Sequence, residues 1–174
     1  MNNLKKEYTE FGPWLSEIIN DEDITHQFIH LKKEILTADF AVKVPVDKEW
    51  RNVKEGELLY DAVIAIDEVS VAYHKIIDGV AYSCKMDLRD VDYIRLNKDM
   101  LTYKLEIGTS LECLHILYEP LPNQLANRFI HILLDRFVNA NEHINKMLLK
   151  KVSLYYKDSV KISGNTIEEH LITS

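Results

Sequence analysis

The sequence predicts an α+β fold in which seven antiparallel strands form a barrel or bent sandwich that a C-terminal helix closes. Two observations lead to this fold class. Apolar residues alternate with polar ones through much of the stretch from residue 38 to residue 118, which is the period of half-buried strands. Beyond Pro120 and Pro122 the apolar spacing changes to that of a helix, and an amphipathic helix can cover the open end of a small barrel.

Turn signals divide the alternating stretch into seven predicted strands, which are residues 38–46, 58–66, 69–77, 80–86, 91–96, 100–107 and 111–118. The strongest signal is Asp78-Gly79, since a two-residue hairpin turn of type I′ needs positive φ at both positions. Most of the connections are short, and short connections between consecutive strands imply antiparallel pairing.

Helical periodicity appears on both sides of the strands. Asp21-Glu22-Asp23 is a helix-start signal, followed by a stripe of Ile24, Phe28, Leu31 and Ile35. The second helix starts near Pro122, runs to about Val138, and presents Leu125, Phe129, Ile132, Leu133 and Phe137. We therefore predict three parts: an N-terminal extension with a helix packed on the barrel (1–36), the barrel with its capping helix (37–140) and a C-terminal extension (141–174). In the extension, Trp14 and Phe11 flank a Gly-Pro turn signal, and we expect Trp14 to be largely buried.

Composition excludes several classes of function. The 174 residues include 21 Lys and Arg against 28 Asp and Glu, so the formal net charge is −7. This balance argues against nucleic acid as a partner and weakens binding to a membrane surface. We see no apolar run long enough for a secretion signal or a membrane span, and two isolated cysteines suit a reducing compartment. These features predict a cytoplasmic protein without an integral membrane segment.

Two spacings could carry chemistry. His26, His30 and Glu34 stand at i, i+4 and i+8, but on a helix they would lie opposite the apolar stripe, in water. Cys113 and His115 share one face of a predicted strand, which is how a thiol nucleophile meets its base, but spacing suggests no third group to orient the histidine. We therefore predict no catalytic residues, no metal and no cofactor, and favour a non-enzymatic protein.

The layout of strands and helix is similar to that of pleckstrin-homology-like (PH-like) domains of bacteria. The resemblance covers residues 38–138, about three fifths of the chain. It lies in Asp78-Gly79, in the segment 86–94 that enters the fifth predicted strand, and in Gly108-Thr109-Ser110. The opening Phe-Gly-Pro-Trp-Leu at 11–15 resembles the start of an uncharacterised Gram-positive group. One departure is that the capping helix has Phe129 and Phe137 where eukaryotic PH domains keep a tryptophan.

The resemblance implies a scaffold that binds peptides, partner domains or lipids through surface patches. The loop between the first two strands has three basic residues against four acidic ones, a sum of −1, so it lacks the basic concentration of phosphoinositide-binding PH domains. We predict an interaction module that binds a protein partner or a second copy through a sheet edge or this loop. The candidate binding residues are Lys48, Trp50, Arg51 and Lys54. The alternative is a small-molecule or lipid-headgroup binder, or an enzyme, with a pocket at the barrel mouth.

Overall fold

A computed structural model describes residues 8–9, 11–48, 52–54, 56–98, 102–119, 124–141, 159–163 and 166–169. The first sheet has the order β1-β2-β3-β4-β5, with β1 (Ser16–Glu17), β2 (Phe40–Pro45), β3 (Tyr60–Ile66), β4 (Ser70–Ile77) and β5 (Val80–Asp87). The second sheet contains β6 (Tyr93–Lys98), β7 (Tyr103–Gly108), β8 (Cys113–Tyr118), β9 (Ser159–Ser163) and β10 (Thr166–Glu169), in the order β10-β9-β6-β7-β8. The helices are α1 (Lys32–Thr37) and α2 (Leu125–Ala140), and two 3-10 helices span Asp21–Asp23 and His26–Leu31.

The α+β class, the antiparallel sheets and the C-terminal helix are confirmed, but the seven-stranded barrel is wrong. In the described part of the chain, eight strands precede α2, five in the first sheet and three in the second. The added strand is β1, whose two residues pair with Lys43 and Val42 of β2. Two residues are too few to show an alternating pattern, so periodicity cannot reveal this strand.

The two sheets do not close on each other. Where the chain passes from β5 to β6, no pairing between these strands occurs among the described residues. At the opposite corner the contact is a single parallel bridge between Trp14 and Glu119, in which the Glu119 amide donates to the Pro13 carbonyl at 3.0 Å. In the described part of the chain the two sheets therefore do not form a closed barrel.

The predicted hairpin between β4 and β5 is present. Asp78 has a φ of 50° and Gly79 a φ of 77°, as a type I′ turn requires. Ile77 and Val80 face each other at the closed end, and the pairing continues in register to Ser70 and Asp87. This hairpin is the longest paired unit of the first sheet, and its second strand, β5, forms the edge of that sheet.

One core lies between the sheets and α2. Residues from the inner faces of both sheets belong to a single apolar cluster, and α2 adds its whole buried stripe. The buried residues of α2 are Ala126, Phe129, Ile130, Leu133, Leu134, Phe137 and Val138. Phe129 and Phe137 are among the largest fully buried side chains, so phenylalanine fills the space under the helix.

Polar contacts fix α2 at both ends. The Arg128 guanidinium donates to both carboxylate oxygens of Glu17 at 2.9 and 2.8 Å, and Arg136 lies 3.0 Å from Asp39. Just beyond the last turn, the buried Asn141 amide donates to the Leu88 carbonyl at 2.9 Å. The helix is thereby tied to the first strands and to the turn between β5 and β6.

The N-terminal segment differs from its prediction in backbone but not in burial. Residues 21–31 form two 3-10 helices, and only the six residues of α1 are α-helical. Over so short a run, apolar spacings of three and four do not separate a 3-10 helix from an α-helix. The segment nevertheless buries Ile24, Phe28 and Ile35 on the outer face of the first sheet, against Ala41, Val63, Ala65 and Ala72.

Most of the Trp14 surface is buried, as the sequence predicts, although the residue is not part of the fully buried core. Its indole lies on Gly12, where a Cβ atom would come within 2.1 Å of the ring. The fully buried residue of this stretch is Leu15, which joins the main core. Phe11 packs edge-on against Tyr60 with ring centroids 5.4 Å apart.

Candidate interaction surface

The structure places half of the predicted binding residues. Trp50 and Arg51 lie outside the described residues. Lys48 forms an ion pair with Glu57 at 2.6 Å, and the Lys54 amide donates to the same carboxylate at 3.4 Å. The hydrogen bond from Lys48 lowers the pKa of Glu57 below its ordinary value. The loop thus brings Lys48 and Lys54 around one carboxylate, and that carboxylate offsets the positive charge that an anionic ligand would need.

The histidine spacing in the N-terminal segment does not form a cluster of ligands. His26 and His30 lie in a 3-10 helix, where residues four apart do not stack on one face. Glu34 lies in α1, and its carboxylate is 3.7 Å from Nε2 of His74 on β4. Among the described residues, no three His, Cys, Asp or Glu side chains are grouped so that they could hold a metal ion.

Cys113 and His115 lie on the outer face of the second sheet, and each has a polar neighbour that their spacing did not reveal. Nδ1 of His115 is 3.6 Å from Oε1 of Glu106, on the neighbouring strand β7. The Cys113 thiol lies 3.3 Å from the Tyr93 hydroxyl, because the Tyr93 ring lies across Gly108. A carboxylate therefore does accompany the histidine.

Glu106 is the centre of a charge network on this face. Its carboxylate lies 3.1 Å from Arg95 and 3.0 Å from Lys104, and the residue is only 6% exposed. Burial alone would raise its pKa, but Lys104, Arg95 and His115 together lower the pKa below its ordinary value. A carboxylate held ionised by Arg95 on β6 and by Lys104 on its own strand ties β7 to β6, and this is a structural role.

A shallow, open depression lies elsewhere, near the turn between β3 and β4. Its lining residues are Asp39, Asp67, Glu68, Val69, Ser70, Lys85 and Asp87. Its carboxylates have basic partners: Asp67 lies 3.4 Å from Lys85, and Arg136 lies 3.0 Å from Asp39. Neither Cys113 nor His115 lines it, so this depression does not bring the thiol and the imidazole to a pocket.

The edge strand β5 is the most open part of the first sheet. No strand pairs with its outer side in the described part of the chain. Its first four residues, Val80 to Ser83, are exposed, whereas Cys84 and Met86 are buried in the core. An edge of this length leaves a row of backbone donors and acceptors available to another strand.

Large apolar side chains gather around the exposed end of β5. Val80 is 69% and Tyr82 44% exposed, and the half-exposed Ile77 faces Val80 across the hairpin. Leu111, which is 92% exposed, precedes Glu112, and the Glu112 carboxylate accepts a hydrogen bond from the Cys84 thiol at 2.8 Å. We call Ile77, Val80, Tyr82 and Leu111 the hairpin patch.

The Cys84 thiol that joins the patch to the second sheet is an inert group. Burial raises the pKa of this thiol to about 11, and the hydrogen bond to Glu112 acts in the same direction. Cys84 therefore stays protonated at neutral pH and donates a hydrogen bond to the Glu112 carboxylate. The contact holds the β7–β8 loop against β5, which keeps Leu111 beside the hairpin.

Comparisons with known proteins give no match for this chain. A scan of family models, a search of curated proteins and a search of solved structures each match nothing to it. Among the described residues, no helix is both long enough and apolar enough to cross a membrane.

Proposed function

We propose that this chain is a non-enzymatic, PH-like interaction module that binds a protein partner by adding the partner's strand to β5. The observation that carries the proposal is the exposed edge of β5 with apolar side chains at its end. Strand addition draws its affinity from main-chain hydrogen bonds and its specificity from contacts with alternate side chains.

The arrangement of elements supports the PH-like part of the proposal. Without the two-residue β1, the strands before α2 are four in one sheet (β2–β5) and three in the other (β6–β8), and α2 follows them and packs on the core between the sheets. This is the layout that the sequence resemblance implies. Fold alone does not choose a ligand, so the choice of partner depends on the open edge.

The chemistry of the remaining surface favours a protein partner over a lipid headgroup. Lys48, the basic residue nearest the start of the β2–β3 loop, is paired with Glu57. Anion binding there would have to break a 2.6 Å ion pair. The hairpin patch, by contrast, offers apolar area beside free backbone groups, and this combination suits an extended peptide.

A proline substitution on the edge tests the proposal. Proline has no backbone N–H, so Ala81→Pro removes a donor from the outer side of β5, whereas the matched Ala81→Val keeps it. We would select peptides from a random library on the immobilised wild-type chain and measure their affinity for both variants. We expect selected peptides to lose at least tenfold in affinity with Ala81→Pro and to keep it with Ala81→Val. Peptides that bind all three proteins equally would overturn the proposal.

A further inference from the structure

We propose that a second copy of this chain is a partner for β5, and that the two β5 strands pair antiparallel about a two-fold axis at Ala81 or Tyr82. This inference rests on the proposed function, because it needs the edge to accept a strand. It goes further by naming the occupant and the register.

The hairpin turn determines which backbone groups face outward. In a two-residue hairpin, the residues that flank the turn form a hydrogen-bonded pair, here Ile77 and Val80. Bonded and non-bonded pairs then alternate along an antiparallel ladder. The amides of Tyr82 and Cys84 therefore point to β4, and those of Ala81, Ser83 and Lys85 point outward. The Leu88 amide, which donates to Val69 at 2.8 Å, follows the same alternation.

The exposure of β5 restricts the position of the axis. Residues 80–83 are all exposed, and a symmetric pairing covers them best when this stretch overlies itself. With the axis at Ala81, Val80 faces the partner subunit's Tyr82. With the axis at Tyr82, the two tyrosines face each other and Ala81 faces the partner subunit's Ser83. The Ala81 register pairs only exposed β5 side chains with each other, whereas in the Tyr82 register Val80, at the end of the overlap, faces the partner subunit's Cys84, which is buried.

Burial and charge disfavour the registers farther along the strand. An axis at Ser83 would set two exposed residues against buried ones, Val80 against the partner subunit's Met86 and Tyr82 against the partner subunit's Cys84. An axis at Lys85 would place two lysines directly opposite each other, and like charges in that position are destabilising. Neither preferred register sets two like charges opposite each other.

The size of the contact sets the expected strength. β5 begins at Val80, so the strand overlap is three residues with the axis at Ala81 and five with the axis at Tyr82. With four apolar side chains nearby, such an overlap buries less than the roughly 1,600 Å² of a standard interface. We therefore expect a weak dimer that dissociates on dilution. Sedimentation equilibrium between about 10 µM and about 1 mM covers the corresponding range of affinity.

Disulfide trapping with one introduced cysteine locates the contact, and the buried Cys84 is retained in every variant. In a Cys113→Ser background we would introduce Ala81→Cys or Tyr82→Cys, with Ile29→Cys as the control at an exposed site of the N-terminal segment. Paired residues on antiparallel strands have Cα atoms about 4.5–5.5 Å apart, which a disulfide can join. We expect covalent dimers at position 81 or 82 to form at least tenfold faster than at position 29.

Two variants without cysteine test the same contact in the reversible dimer. Ala81→Pro and Tyr82→Ser should each weaken association at least tenfold, whereas Ala81→Val should not. Circular dichroism shows whether Ala81→Pro is folded, and Tyr82→Ser tests the patch without changing the backbone. A wild-type chain that stays monomeric at about 1 mM and shows no preference in trapping would overturn the dimer. Library peptides that still depend on Ala81 would then leave the proposed function standing, whereas peptides indifferent to Ala81→Pro would remove both.

Discussion

The outer faces of the two sheets differ in exposure: one is covered by another segment of the chain, and the other faces solvent. The chain's own N-terminal segment covers the first sheet, so β2 is buried along its whole length and β3 along nearly all of it. The second sheet leaves its outer face to solvent, and β8 alternates strictly between exposed and buried residues. The covered sheet carries small apolar residues outside, whereas the uncovered one carries a charge network around Glu106.

This difference teaches where a partner can bind. A covered face is closed to other molecules, and on the exposed face of the second sheet the buried Glu106 is satisfied by cations of its own sheet. In the described part of the chain, the groups without such partners include the backbone edge of β5 and the hairpin patch. The contrast between the two sheets therefore favours a sheet edge, and neither outer face, as the surface that binds a partner.

The largest expected effect comes from breaking the cover of the first sheet. Phe28 is fully buried between the N-terminal segment and the outer face of this sheet. We expect Phe28→Ala to lower the free energy of unfolding by about 3–5 kcal/mol, because it leaves a cavity in a packed layer. Leu117→Ala, on the uncovered face of the second sheet, should cost about 1 kcal/mol or less. Urea titration measures both, and equal losses would contradict the contrast between the faces.

A smaller effect is expected from the charge network of the second sheet. Glu106→Gln removes a carboxylate whose lowered pKa shows that the folded state favours its ionised form. Because its partners Arg95 and Lys104 are partly exposed, we expect a loss of only about 1 kcal/mol at pH 7. The difference from wild type should be present above about pH 4.4 and shrink as the pH falls further. The control is Glu68→Gln at an exposed turn position, and a pH-independent difference would refute the role of the charge.

The smallest effect concerns His74, under the cover of the first sheet. Nδ1 of this residue lies 2.9 Å from the Ser83 hydroxyl, and its buried Nε2 lacks a hydrogen-bond partner. Burial lowers the pKa of His74; Glu34 opposes this shift, and His30 and Lys85 reinforce it.

A pKa lower in the folded than in the unfolded state means that stability falls as the pH drops below about 6.5. We expect the wild type to lose more stability than His74→Gln between pH 7.5 and pH 5.5, as measured by urea unfolding at both values. Equal losses of unfolding free energy in the two proteins would show that protonation of His74 does not make the stability of the fold depend on pH.

Periodicity predicts both the strands of this fold and the N-terminal segment that packs on them. All seven predicted strands have counterparts, because each has an inner face that meets the core. The burial of the outer face of the first sheet under this segment is less visible, since Lys43 occupies an outer position of β2 and its charge predicts a solvated residue. In the structure it is buried, with its ammonium 4.6 Å from the centroid of the Tyr60 ring.

The sequence predicts the proposed binding surface only in kind. A sheet edge was expected, but which strand is the edge depends on strand order, and order is not encoded in alternation. Glu106 is not predicted as a buried group because a charged residue within a strand predicts solvent exposure, and its pairing with Arg95 is visible only when the register of β6 and β7 is known. Trp50 and Arg51 remain predictions, since both lie outside the described residues.

Amide hydrogen exchange along β5 tests the open edge most directly. In a dilute solution, where the chain is monomeric, we predict slow exchange at Tyr82 and Cys84, whose amides face β4, and fast exchange at Ala81, Ser83 and Lys85. At a higher concentration of the protein, exchange at Ala81 and Ser83 should become slow, because a second copy would then cover these amides. Equal protection of all five amides in the dilute protein would mean that β5 is already covered, and it would contradict the proposal that this edge binds a partner strand.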